Sequence, residues 1–509
     1  MYEARYRKYI TKSHSRFAEP VELTASLKCI TPENYTHSGA PLFYENGNLY
    51  VDDSDAHTIA IGPTGCKKTR TIVVPTVESI IASGESAVIN DPKGEIYRKT
   101  SGAANKKGAD VYVLNFRKPS ESHGWNPLAQ AHRYYQIGNL DAAYQCINDF
   151  ASSVIAPALE NTVDRYWADT SMTFLIALML ILMASVPIEY FNISNLNQLC
   201  FEKNNSTLKA MLDKMDQNTP AAYGLHTVLD LEAEKTKSCI YSTLLAVMSP
   251  FSQNESLQNL LNTNDIDIER IAEKQTIIYV IYPDEKGSLN FLVNSFFTQC
   301  YETLIAKSAS EKDSRLAKRV NFVLEEFSNL PRIPNFDNRI SEARSHNIRY
   351  FLFIQSFGQL QNKYKEHAET ILSNCNNWIC FSSKEIDFLS KISKICGTEV
   401  DFNGIEHDLI SPCEMQHLKK YEDGAEVVVI KSGEYPFITK LPDYAYLDLF
   451  QEEKTIPMDL LSHGSEAKLI TFDQWISMIN EGVFEFPFTK AMVDKNNRRR
   501  QRFSIRNYS

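Results

Sequence analysis

Short runs in which nearly every residue is apolar, each closed by polar residues, mark out the beginning and the end of this chain. Between residues 56 and 130 the runs are His57-Thr58-Ile59-Ala60-Ile61, Glu85-Ser86-Ala87-Val88-Ile89-Asn90-Asp91 and Asp110-Val111-Tyr112-Val113-Leu114-Asn115. Each has the length of a strand, and the intervals have room for a helix. Strand, helix and strand at this spacing predict a parallel sheet buried on both faces. From about 131 to 268 the pattern is helical almost throughout, as in the amphipathic stretch Leu140 to Val154. The strand rhythm then returns with Thr276 to Tyr282, a helix over 288–306, and strands at Val320–Leu324, Tyr350–Ile354 and Trp378–Phe381. A last β pair is predicted at Ala425–Ile430 and Tyr435–Lys440, around the turn Lys431-Ser432-Gly433-Glu434.

The expected organisation is therefore an α/β domain split by an insert. Residues 1–55 form a lead-in with a short edge strand at Leu49-Tyr50-Val51. Residues 56–130 and 269–450 make the two parts of the α/β domain, 131–268 an inserted all-α domain, and 451–509 a polar appendage. The run Met172 to Pro187, MTFLIALMLILMASVP, is short of the ~20 residues that span a bilayer. Asp164, Arg165 and Asp169 precede it and Glu189 follows, so it reads as a fully buried helix. No segment is expected to cross a membrane.

Composition adds little to the fold and something to the partners. The chain has 509 residues, 43% hydrophobic and 23% charged, an ordinary globular balance with ample material for a core. Its net charge of −10 is uneven. Arg5, Arg7, Lys8, Lys12 and Arg16 crowd the first residues, and Lys495, Arg498, Arg499, Arg500, Arg502 and Arg506 the last. Basic ends on an acidic body suit contact with a polyanion, with Lys495, Arg498, Arg499, Arg500 and Arg502 as candidate nucleic-acid contacts; solvated tails are the plainer reading. The ten cysteines include no Cys-x-x-Cys pair, which points to reduced thiols in a cytoplasmic protein.

One turn carries chemistry. Gly62-Pro63-Thr64-Gly65-Cys66-Lys67-Lys68-Thr69-Arg70 follows the first strand and leads into the apolar Thr71-Ile72-Val73-Val74. It matches the phosphate loop G-x-x-x-x-G-K-[ST], with Gly62, Lys68 and Thr69 in register. Backbone N–H groups in such a loop converge on phosphate, at the positive end of the helix that follows. Lys68 is the candidate for the β- and γ-phosphates of ATP, and Thr69 for Mg²⁺. The one defect is Lys67, where the pattern has a second glycine.

The strand Val320–Leu324 ends in two acids, Glu325 and Glu326. An NTPase needs one carboxylate to hold Mg²⁺ and a second to polarise the attacking water. Glu325 is the candidate for the first role and Glu326 for the second. Gln355, at the end of the next strand, is placed to sense phosphate or orient that water, since sites in open parallel sheets gather at carboxyl ends. Arg344, between these strands, is a candidate for stabilising phosphoryl-transfer charge across a subunit interface; a surface ion pair is its ordinary alternative.

Taken in order, GPTGCKKT, INDPKGEIY, VLNFRKPSESHGWNPL, a helical insert, IIYVIYPDEKGSLN, LEEFSNLPRIPNFDNRISEARSHNI and FIQSFGQL resemble the coupling proteins of conjugative type IV secretion systems, the TraG/TraD type. The D-P-K-G-E turn followed by N-P-L is the more specific part. The resemblance covers roughly residues 45–450. It implies a RecA-like P-loop NTPase domain with a parallel or mixed sheet and an inserted all-α domain, assembling as a homo-hexamer. It also implies ATP and Mg²⁺, and DNA translocation that delivers relaxase-bound single-stranded DNA, or other secreted proteins, to the channel ATPases and membrane components of the secretion system. Three departures stand against it: Lys67 for glycine, Glu325 for the more usual aspartate, and no membrane-spanning helices, which places the expected site of action in the cytoplasm at the inner face of the membrane. A nucleotide-binding recruitment platform and another RecA-like DNA motor are the alternatives.

Overall fold

In the computed structural model, the described residues are 14–31, 35–160, 165–201, 205–252, 254–283, 287–401, 405–447, 453–458 and 468–481. The candidate tail contacts from Lys495 onward lie outside them. The chain forms two compact units. The first comprises Met1–Val113, Ile268–Glu285 and Tyr301–Pro457; the second comprises Leu114–Asp267, Lys286–Cys300 and Met458–Ser509.

The strands of the described chain are β1 (Lys28–Ile30), β2 (Pro41–Glu45), β3 (Asn48–Val51), β4 (His57–Ile61), β5 (Ser86–Asn90), β6 (Asp110–Asn115), β7 (Thr276–Ile281), β8 (Val320–Leu324), β9 (Ile348–Ile354), β10 (Cys375–Cys380), β11 (Thr398–Val400), β12 (Glu406–Asp408), β13 (Lys420–Tyr421), β14 (Gly424–Lys431) and β15 (Phe437–Pro442). Ten of them form one mixed sheet in the order β13-β14-β10-β4-β9-β8-β5-β7-β6, with β15 paired to β14. From β10 to β7 the pairing is parallel. β14 then joins β10 antiparallel and turns back into β15 as the expected hairpin. Every residue of β4, β5, β7, β8 and β9 is buried, which is why these strands read as mostly apolar runs without polar alternation. Each buried Ile, Val or Leu here contributes ~1.5–3 kcal/mol. The lead-in strand at residues 48–51 belongs to a separate three-stranded sheet, β1-β3-β2.

The helix after β4 opens irregularly. Thr69–Val73 is a π-helical turn, and the regular helix runs Val74–Ser83. Pro75 has no N–H for the carbonyl of Thr71, and the Val74 N–H bonds back to Thr69 instead, so the first turn is wide.

The second unit is helical. Its longest apolar helix, Tyr166–Ser185, extends the run seen in the sequence and is long and apolar enough, by length and composition alone, to cross a membrane. From Phe174 to Met183 nearly all of its side chains are buried within the unit. Gly224, on the helix Pro220–Leu229, explains how closely it is packed: a β-carbon there would stand 2.7 Å from Ala177 Cβ and 2.8 Å from the Thr173 carbonyl. Ser171 donates to the Ile240 carbonyl at 2.9 Å, tying in the helix Glu234–Met248. The stretch after residue 450, polar in overall composition, is anchored where it is described. Ile470, Phe472 and Trp475 are buried, and the Trp475 indole donates to Ser185 Oγ at 3.2 Å.

Candidate nucleotide site

Adjacent parallel strands end together, and four of them decide this site. Register pairs Ile61 with Ile354, Leu352 with Leu324, and Leu324 with Asn90. The order β4-β9-β8-β5 therefore sets the phosphate loop, Gln355, the Glu325–Glu326 pair and Asp91 along one edge. A cleft of about 350 Å³ opens there, lined by Pro63, Thr64, Gly65, Lys67 to Arg70, Pro92, Lys93, Glu95, Glu325, Glu326 and Lys420.

The loop has the backbone its chemistry requires. Gly65 is left-handed at φ 81°. A β-carbon on Gly62 would meet Cys66 Sγ and Phe381 Cβ, each at 2.8 Å, so the first glycine is demanded by close packing. Lys68 is buried, and its ammonium donates to the Gly62 and Ile354 carbonyls at 3.1 and 2.8 Å. Burial lowers its pKa, with Cys66, Glu326 and Glu325 pulling the other way. The Thr69 hydroxyl donates to Glu325 Oε1 at 2.5 Å. Lys67 and Arg70 line the cleft, but their side chains run to Asp443.

The acid pair divides by environment. Glu325 is buried, and its pKa is pushed up to about 7 by burial and by the charges of Asp91 and Glu326, against the Thr69 hydrogen bond and Lys68. Glu326 takes a left-handed backbone, φ 52°, a conformation costly for a side-chain-bearing residue and often kept where function fixes it. Gln355 Nε2 donates to Glu326 Oε2 at 2.7 Å. Thus Lys68, Thr69, Glu325, Glu326 and Gln355 are brought together. Nothing in the spacing along the chain assigns Asp91, Lys93, Glu95 or Lys420 a role at the site. Asp91 accepts from the N–H groups of Glu95 and Tyr97 at 2.9 and 2.8 Å, and burial raises its pKa to about 6 despite those bonds. The D-P-K-G-E turn was visible in sequence; that it forms a wall of the cleft was not.

Arg344 is elsewhere. It begins the short helical turn Arg344–His346 that precedes β9, at the amino end of that strand, whereas Gln355 follows the carboxyl end. Seven strand residues at ~3.3 Å each separate the two by ~23 Å. Its guanidinium donates to Asn376 Oδ1 at 3.2 Å. Within one chain it does not belong to this cleft.

The donor set suits a small hard cation. Thr69 and Glu325 offer two oxygens side by side, and Mg²⁺ is commonly held by one or two protein oxygens together with substrate phosphates. The buried Asn90 Oδ1, whose amide nitrogen bonds the Glu325 carbonyl, is a further acceptor without a partner. Among the described residues no cluster of three or more His, Cys, Asp or Glu could hold a metal by itself.

A phosphate loop, a strand-end acid pair and a polar residue on the strand between them define a RecA-like P-loop NTPase. The more particular assignment comes from comparison. Residues 18–403 match the family model described as type IV secretory system conjugative DNA transfer, and the chain belongs to that family. It is 22% identical over 458 residues to the conjugal transfer protein TraG of Escherichia coli, covering 80% of this chain and 70% of that one. To the protein VirD4 of Rhizobium rhizogenes it is 21% identical over 384 residues, covering 70% of this chain and 51% of the relative. Among solved structures, the plasmid coupling protein TrwB in complex with the ATP analogue ADPNP superposes with TM-score 0.60 at 16% identity, over 88% of this chain and 96% of TrwB. TrwB in complex with ADP and Mg²⁺ superposes with TM-score 0.59 over the same shares, at 15% identity. The fold is shared with these structures.

Proposed function

We propose that this chain is the ATP-hydrolysing motor of a conjugative DNA-transfer system, coupling hydrolysis in the cleft to movement of single-stranded DNA and any protein attached to it, such as a relaxase, toward a type IV secretion channel. The observation that carries the reading is the convergence of Lys68, Thr69, Glu325, Glu326 and Gln355 on one sheet edge in a member of this family. The Lys68 ammonium, now on two carbonyls, is positioned to turn to the β- and γ-phosphates. Thr69 and Glu325 would hold Mg²⁺, which when bound neutralises phosphate charge. Glu326 accepts the proton side of the attacking water, and Gln355 holds Glu326 in place. The strain at Glu326 and the shared hydrogen bond fix that carboxylate before substrate arrives, which spares reorganisation in the transition state.

Arg344, on the far edge of the sheet, can serve only a neighbouring copy's cleft, as in a ring such as a hexamer. The basic tail, Lys495 to Arg506, is a polyanion contact in this reading. Phosphate contacts suit a motor because they are independent of base sequence.

ATP hydrolysis by the purified chain, with and without single-stranded DNA and across protein concentration, tests the proposal. A rate that rises with DNA and steeply with concentration is expected. A flat, near-zero rate with ATP still bound would favour the second reading, a nucleotide-binding platform. Lys67, in the place of the loop's second glycine, is the observation on that side.

A further inference from the structure

Lys67 occupies a position where phosphate loops carry glycine because the backbone must be left-handed. It is left-handed here too, at φ 73°, despite its β-carbon. That conformation costs a side-chain-bearing residue something, and it persists only where the surroundings hold it. Here two acidic residues and a neighbouring strand hold it. The Lys67 ammonium donates to Asp443 Oδ2 at 3.1 Å and to the Glu422 carbonyl. Arg70, one turn on, grips the same carboxylate with Nε and Nη2 at 2.6 and 2.9 Å, and lies over the Tyr444 ring at 4.7 Å. Asp443 is itself fixed: its N–H bonds the Asp423 carbonyl at 2.8 Å, and its side chain is 1% exposed. Lys420 completes the grip by donating to the Gly65 carbonyl at 2.7 Å.

These contacts come from β13, from the turn that joins it to β14 and from the residues after β15, the antiparallel end of the sheet beyond β10. We infer that Asp443 is a positioning residue for the phosphate loop: through the Lys67 ammonium it holds the left-handed turn that glycine would otherwise provide. Lysine at this position is then an anchored loop residue, and its charge is spent on Asp443 rather than on a phosphate. The inference rests on the nucleotide-binding reading of the cleft.

Equilibrium binding of a non-hydrolysable ATP analogue with Mg²⁺ to the full chain tests it. Asp443→Asn should weaken binding about tenfold. Lys67→Met, which keeps the β-carbon and loses the tether, should weaken it similarly. Lys67→Gly removes the strain and should tighten binding about three- to fivefold. In the double variant Lys67→Gly/Asp443→Asn, affinity should fall no more than about twofold below Lys67→Gly. An equal loss from Asp443→Asn in both backgrounds would make its role merely structural and overturn the inference, as would Lys67→Met binding as tightly as Lys67→Gly. If Asp443→Asn does not fold, the two Lys67 variants still decide. Lys68→Ala separates the two levels. Wild-type binding by Lys68→Ala would sink the nucleotide-site reading itself, whereas its loss of binding alongside an additive cycle would sink only the role of Asp443.

Discussion

The two ends of the parallel strands in the large sheet treat charge in opposite ways. At the amino ends of β4, β5, β8 and β9, Arg349 and Arg319 are held by carboxylates. Arg349, 1% exposed, donates from all three nitrogens to Asn321, Ser38, Ser54 and Glu85, at 2.6–3.1 Å. Arg319 bonds Asp53, Asp55 and Glu85, and Arg315 adds a second bond to Asp55. Burial alone would raise the Asp55 carboxyl, but Arg315 and Arg319 bring it below its ordinary value. At the carboxyl ends of the same strands, Glu325 and Glu326 have no basic partner within ion-pair distance among the described residues, Glu325 is pushed up to about 7, and Glu326 sits on a left-handed backbone. The first arrangement holds the fold. The second keeps charge uncompensated where a ligand can compensate it.

That contrast is sharpest for Glu326. Glu326→Gln keeps size and the contact with Gln355 while removing the charge that polarises water. ATP hydrolysis should fall by ~10²–10⁴, the range attributed to general-base catalysis, with analogue affinity nearly unchanged. Single-turnover hydrolysis beside equilibrium binding checks this, and wild-type turnover in Glu326→Gln would remove the assigned role. Thermal stability should not fall, because no pairing is lost.

The opposite end should respond in the opposite sense. Arg349→Leu takes from Glu85 its fully buried cation, leaving Arg319 and Asn321 on it, and strands the Asn321 Oδ1, Ser38 and Ser54 acceptors. Removing one member of a buried ion pair costs ~3–5 kcal/mol. Denaturant unfolding should show that loss, while surviving folded protein should retain ATP affinity. A stable Arg349→Leu protein with impaired binding would erase the distinction between the two ends.

Local chemistry was legible in the sequence; placement across the sheet was not. The register of Lys68 and Thr69, and the acids after an apolar strand, need only a strand, a turn and a helix in order. Arg344 could not be placed from sequence, because its position in the chain, between the Glu326 and Gln355 strands, says nothing of which sheet edge it falls on. Strand direction puts it at the amino end. Lys420 and Asp443 could not be found from spacing, since they reach the loop only through the pairing of β14 with β10 and of β10 with β4. Arg349 escaped because the expected strand began at Tyr350, and an arginine reads as a strand boundary until its partners are known. Trp475 and its neighbours were hidden by the polar composition around them.

The smallest expected effect concerns an acid that belongs to neither arrangement. Glu78 lies on the helix Val74–Ser83, which continues from the phosphate loop, and it is buried without a basic partner among the described residues. Burial, reinforced by Glu453, pushes its pKa up to about 8 from an ordinary 4.5. Unfolded, the carboxyl ionises near its ordinary value; folded, it stays protonated to about pH 8. The unfolded state therefore binds fewer protons across this window, and stability falls as pH rises through it. Glu78→Gln has nothing to ionise and should escape that fall. One pKa unit corresponds to ~1.4 kcal/mol, and relaxation of side chains and solvent around the ionised form reduces the expected gain to about 2 kcal/mol at pH 9, with almost none at pH 4. Denaturation midpoints of wild type and Glu78→Gln across pH 4–9 read this directly. A pH-independent difference would mean that the ionised carboxylate finds compensation in the folded state, and Glu78 would then join the paired acids at the other end of the sheet.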